Sequence, residues 1–139
     1  MTDMKNRPNL QQVILLGIRM KRDDELVKQL LIEMEDSTEA VHFYGLSDPD
    51  EADGGERKYY HLRLMQDAGL VEESGRHGCN WRMTNAGHDF VGLIRDAGMW
   101  AKMKERAAQV VPSYGLKLLY EVGHALARQK LRDMGLPLE

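Results

Sequence analysis

One cysteine, two tryptophans, two phenylalanines and four prolines are little for a chain of 139 residues, and each shortage excludes something. A lone thiol, Cys79, cannot build an internal disulfide framework and fits a reducing compartment. The only apolar run near the start, "VILLGI" (Val13 to Ile18), is too short for a signal-peptide core and is followed by Arg19. Nothing elsewhere approaches the roughly 20 apolar residues of a membrane span. The expectation is a cytoplasmic protein with no membrane association. Positive charge is not in surplus either. Lys and Arg number 19 against 22 Asp and Glu, a net charge of −3, so no global field draws the chain onto nucleic acid. Any such affinity has to come from a local patch.

What is present reads as one soluble globular unit. The 42% hydrophobic and 29% charged content is ordinary, and the length supports a single core. From Arg22 to Asp36, apolar residues at Leu26, Val27, Leu30, Leu31 and Met34 mark one face of a helix, with Asp23, Asp24 and Glu25 at its N-terminal end. "AVHFYG", Ala40 to Gly45, predicts a brief strand. An acidic turn region follows, "LSDPDEADGGE", broken by Pro49, Gly54 and Gly55. A helix is predicted from about Glu56 to Ala68, ended by Gly69. Leu70 to Ser74 and Asn80 to Thr84 predict two strands around "GRHGCN", with Trp81 and Met83 inward and Arg82 outward. Thr84 is the predicted N-cap of a helix to about Asp96, burying Phe90, Val91 and Ile94. Trp100, Met103 and Ala107 mark another helix before Pro112. Ser113 is the predicted cap of a last one carrying Leu116, Leu119, Val122 and Leu126.

Helix, short strand, helix, two-stranded hairpin and further helices is the order of a winged-helix domain. "YHLRLMQDAGLV" resembles the third-helix signature of winged-helix regulators related to arsenic-type repressors, matching at His61, Leu62, Leu64, Met65, Ala68, Gly69, Leu70 and Val71. "WRMTNAGHDF" resembles the strand-to-helix step of the same group. Over more of the chain, "MKRDDELVKQLL", "MTNAGHDFVGLIRD" and "MWAKMKERA" resemble a small family of uncharacterised bacterial proteins, often phage- or prophage-encoded. That family begins at the residues matched by Met20 to Asp23. The resemblance implies an α+β, mostly helical fold with a winged-helix domain at residues 20–97. Residues 98–139 become C-terminal helices packed on it or dimerising, and residues 1–19 an extension outside the domain.

Function divides between two kinds of binding. With Leu62 at the centre of the inward face and about 100° per residue, Tyr59, Met65 and Gln66 point in. Arg57, Tyr60, Leu64 and Asp67 point out, with His61 and Arg63 on the flanks. A groove reader needs donors and positive charge. On that reading Arg57, His61 and Arg63 enter double-stranded DNA while Arg76, His77 and Arg82 on the wing touch it. Tyr60 and Leu64 argue for a surface covered by a protein instead. The favoured expectation is a non-enzymatic module that docks on a protein partner, either a host protein or a second copy of itself. A winged-helix DNA-binding transcriptional regulator is the alternative, and an enzyme with no recognisable motif is the remote one.

Other chemistries find little support. His77 and Cys79 lie two apart on a loop with His88 nearby, short of the four spaced ligands of a zinc site. Asp48, Asp50 and Asp53 imitate a calcium loop, but its sixth residue is Asp53 where glycine is needed and its twelfth is Tyr59 where Glu is needed. There is no phosphate-binding glycine loop, nucleophile elbow or zinc-protease pair. No catalytic residue, cofactor, metal or small-molecule substrate is predicted. The last helix carries an unusually wide apolar stripe, which predicts either burial within the chain or a homodimer through Leu119, Val122 and Leu126.

Overall fold

A computed structural model of the 139-residue chain describes residues 21–45, 55–76 and 78–136. It is α+β and mostly helical, with five helices and three strands among the described residues. Helix α1, Asp24–Asp36, starts where the Asp23 carboxylate accepts from the amides of Glu25 and Leu26 at 3.0 and 3.4 Å. Its predicted stripe, Leu26, Val27, Leu30, Leu31 and Met34, is buried. Strand β1 is shorter than "AVHFYG" predicts and pairs only over His42–Phe43. Residues 1–20 and the acidic loop, including Asp48, Asp50 and Asp53, lie outside the described residues.

Helix α2, Glu56–Asp67, ends at Gly69, whose φ of +83° is the left-handed value glycine accepts without strain. There the Gly69 and Leu70 amides donate to the Gln66 and Met65 carbonyls, both at 2.9 Å, and turn the chain into a hairpin. Strands β2, Val71–Ser74, and β3, Asn80–Met83, pair antiparallel in the register Val71 to Met83, Glu72 to Arg82 and Glu73 to Trp81. Strand β1 joins the other side of β3, His42 opposite Trp81, giving the sheet order β1-β3-β2. Trp81 and Met83 are buried and Arg82 is exposed, as the alternation predicts.

Helix α3, Asn85–Ile94, is capped by Thr84, whose hydroxyl accepts from Gly87 N at 3.1 Å and donates to the Gly69 carbonyl at 2.6 Å. One threonine thereby ties the hairpin to the helix that follows. Asp96 caps α4, Ala97–Val110, rather than ending α3. Helix α5, Leu116–Asp133, does not use Ser113; Gly115 is its N-cap, without a side-chain cap bond. The reason lies next door. Tyr114 is tied to α1, its hydroxyl donating to Asp24 at 2.7 Å and its carbonyl accepting from Arg22 at 2.6 Å, and this sets where the chain turns into α5.

One core runs through all of this. It takes in Trp100, Met103, Ala107, Leu116 and Leu119 together with the residues of α1 to α3. Trp100 closes the seam between α4 and α1: its indole N–H donates to Glu25 at 2.9 Å, and Lys28 and Lys104 hold their ammonium groups 5.6 and 5.0 Å from its ring centre. Arg95 ties the end of α3 to the end of α1 through Glu35, at 2.7 Å, and Asp36.

Candidate functional site

Helix α2 and the hairpin hold nearly every residue that the sequence marks for binding. Leu62 and Met65 are fully buried, and Tyr59 packs edge-on against Trp81 with ring centres 5.8 Å apart. These inward positions are the predicted ones. His61 is not on an open flank. It has no exposed surface, because the N-terminus of α1 packs against that side of α2. Its Nε2 accepts from the Asp23 amide at 2.8 Å and its Nδ1 is 2.8 Å from the Arg57 carbonyl. An N–H pointing at Nε2 requires a lone pair there, so the proton sits on Nδ1 and the ring is neutral. Burial lowers its pKa; the Arg57 charge acts the same way, while the Arg57 carbonyl and the Asp23 charge oppose it. A ring used on both sides and closed off from solvent cannot read a groove.

The outer face keeps Tyr60, which is 37% exposed and stands edge-on to His61, while Leu64 is half-buried. Arg57 and Arg63 on the same helix have each found a carboxylate of their own chain, and so has Arg82 on the outward face of the hairpin. Arg57 pairs with Asp23 at 2.6 Å, Arg63 with Glu73 at 2.6 Å, and Arg82 with Glu72 across the hairpin. Burial works against the charge on Asp23, but the Arg57 hydrogen bond and the Glu25 and Leu26 amides outweigh it and lower its pKa. The Glu73 carboxylate raises the pKa of Arg63 through its hydrogen bond and charge. Arg76 is exposed and makes no ion pair among the described residues. His77 lies outside the described residues. Arg57 and Arg63, either side of Tyr60, thus stand in charge pairs, while the Glu72–Arg82 pair lies on the sheet face turned away from the core. Pairing offsets the local positive charge to which a phosphate backbone responds.

The residues predicted to join two copies are placed differently. Leu119 has no exposed surface and belongs to the chain's own core, and Val122 and Leu126 are half-buried against that core. Helix α4 covers this face, and Gly123 lies so close to Met103 and Leu93 that a methyl there would stand 2.7 Å from Met103. Leu119 thus offers a second copy nothing. Among the described residues, no three His, Cys, Asp or Glu converge to hold a metal. No helix among them is long and apolar enough to cross a membrane.

Sequence reasoning missed the knot of Asp23, Arg57 and His61, since the two segments are joined only by folding. The Glu72–Arg82 pair carried a signal, because a hairpin with Trp81 and Met83 inward sets those two side chains opposite each other.

The family described as "Hypothetical protein (DUF2513)" matches residues 21–112, about two thirds of the chain, and the chain belongs to that family. A Haemophilus influenzae protein described as "Uncharacterized protein" is 28% identical over 120 residues, which cover 81% of this chain and 99% of that protein. No solved structure matches.

Proposed function

We propose that this member of the family is a non-enzymatic protein-binding module of winged-helix type, docking a protein partner on the outer face of α2 around Tyr60 and Leu64. The winged-helix reading is supported by a helix leading straight into a hairpin and by the order β1-β3-β2, with the first strand laid against the last. The protein-binding reading rests on one observation. Arg57 and Arg63, about one turn either side of the exposed Tyr60 on α2, are each paired with a carboxylate of the same chain. Aromatic anchors ringed by satisfied polar groups are what protein interfaces use. The resemblance to phage- and prophage-borne proteins makes a host protein the expected partner class.

A photo-crosslinking residue in place of Tyr60, in cells that make the protein, tests this. The expected product is a protein adduct. Tyr60→Ala with Leu64→Ala is expected to weaken the captured complex by roughly thirtyfold or more, on the order of 2 kcal/mol, with the circular dichroism spectrum unchanged.

Arg57 and Arg63 on one helix, with Arg76 on the hairpin, favour a second reading as a regulator that reads a DNA groove. Sequence-specific binding of double-stranded DNA at physiological salt, abolished by Arg57→Ala with Arg63→Ala, would establish that reading and overturn the first.

A further inference from the structure

The far end of α5 presents an open apolar surface. This helix has 18 residues, and its last turn lies beside the start of α4, where Lys130 and Asp133 share a hollow with Asp96 and Gly98. Its apolar stripe does not stop where the cover does. Leu116, Leu119 and Gly123 are buried within the chain, but the same stripe continues to Ala127, Leu131 and Met134. Leu131 is 37% and Met134 67% exposed, and Leu136, just past the end, is 47% exposed. Beside them runs a furrow of about 360 Å³, lined by Leu93, Met99, Ala127, Leu131 and Met134 with Asp96 and Lys130 at its edge. A second hollow of about 430 Å³ adjoins it across Met99 and adds Leu126, Lys102 and Asp133.

We propose that this face binds a second copy of the chain, α5 against α5 across a two-fold axis. Ridge and furrow lie side by side on one surface, as a contact between identical patches requires. The charges point the same way. Asp96 and Asp133 stand beside Lys102 and Lys130, two of each sign around an apolar centre. A two-fold contact can set carboxylates of one copy against ammonium groups of the other. A partner of one charge sign would leave half of them opposed by a like charge. The surface is separate from Tyr60 and Leu64 and does not depend on the reading of α2.

Sedimentation equilibrium of the full chain across the micromolar range tests it. The expected mass rises toward twice the 15.9 kDa of the chain. Leu131→Glu with Met134→Glu is expected to hold the protein at the single-chain mass with its circular dichroism spectrum intact, since neither side chain belongs to the core. Met134→Ala is the milder variant and is expected to weaken the dimer several-fold without abolishing it. Tyr60→Ala leaves the mass unchanged. A single-chain mass at every concentration overturns the proposal. So does a dimer that survives Leu131→Glu with Met134→Glu, or a monomer that uses these residues to hold a different protein.

Discussion

At Gly87 a methyl group has nowhere to go. A Cβ there would stand 2.2 Å from the Leu70 carbonyl oxygen and 2.6 Å from the Met83 side chain. Met83 can swing aside; the Leu70 carbonyl accepts from the Thr84 amide at 3.0 Å and is fixed. Gly87→Ala is therefore expected to cost on the order of 3 kcal/mol by overpacking, and calorimetry should show the melting temperature falling by roughly 10 °C. His61 gives the protein a pH dependence whose sign follows from its neutral, buried state. Its folded pKa lies below the ordinary value of 6.5, so below pH 6.5 the unfolded chain takes up a proton that the folded one resists. The stabilisation is complete above pH 6.5 and is lost as pH falls through the lower folded value. Asp23 and Glu25, with pKa values lowered from 3.8 and 4.5, act in a more acidic window. The melting temperature is expected to drop between pH 7 and pH 5, and to drop less in His61→Gln. A wild-type melting temperature that is flat across that interval would count against a buried neutral ring.

Among the elements, α1 and the hairpin were legible because their signals are local. Five apolar residues at helical spacing name the buried face of α1, and strict alternation names that of β3. Helix α2 was half legible. Periodicity placed Leu62 and Met65 inward, but it assigns an angle and not what waits at that angle. At His61 the neighbour is the Asp23 amide, 38 residues earlier in the chain. The Ser113 cap failed for a related reason, since Tyr114 answers to Asp24 across 90 residues. The candidate site suffered most. Whether an arginine is free or paired depends on long-range packing, and Arg57 and Arg63 look alike in sequence whichever holds. If carboxylates mask the α2 and hairpin cations, removing them should unmask a nucleic-acid surface. Glu72→Gln with Glu73→Gln is expected to raise sequence-blind DNA affinity and to steepen its logarithmic salt dependence by about 1.8, the value for two more phosphates neutralised. An unchanged slope would mean that Arg63 and Arg82 do not face a duplex even when released.

On the scale of the whole molecule, the family match and the core end in different places. The match stops at residue 112, yet Leu116 and Leu119 are core residues and Tyr120 stands edge-on to Phe90, ring centres 5.7 Å apart. A chain cut after Val111 would lose several buried side chains at about 1.5–3 kcal/mol each, comparable to the roughly 5–15 kcal/mol that stabilises a typical domain. It is expected to be aggregated or unfolded in solution, as hydrogen exchange or circular dichroism would report. Deleting residues 1–19, which precede the family match, is expected to leave the melting temperature within about 5 °C of the full chain. The scarcity of tryptophan has an optical consequence here. Trp81 sits in an apolar interior with its indole N–H directed at the Tyr44 carbonyl, while Trp100 is flanked by two ammonium groups and a carboxylate. Each half of the molecule thus carries one light source in its own surroundings. Trp81→Phe leaves an emitter that watches α4 against α1, and Trp100→Phe leaves one that watches the sheet. Urea titrations of the two should superimpose if the halves melt together; two separate midpoints would resolve the chain into units that come apart one at a time.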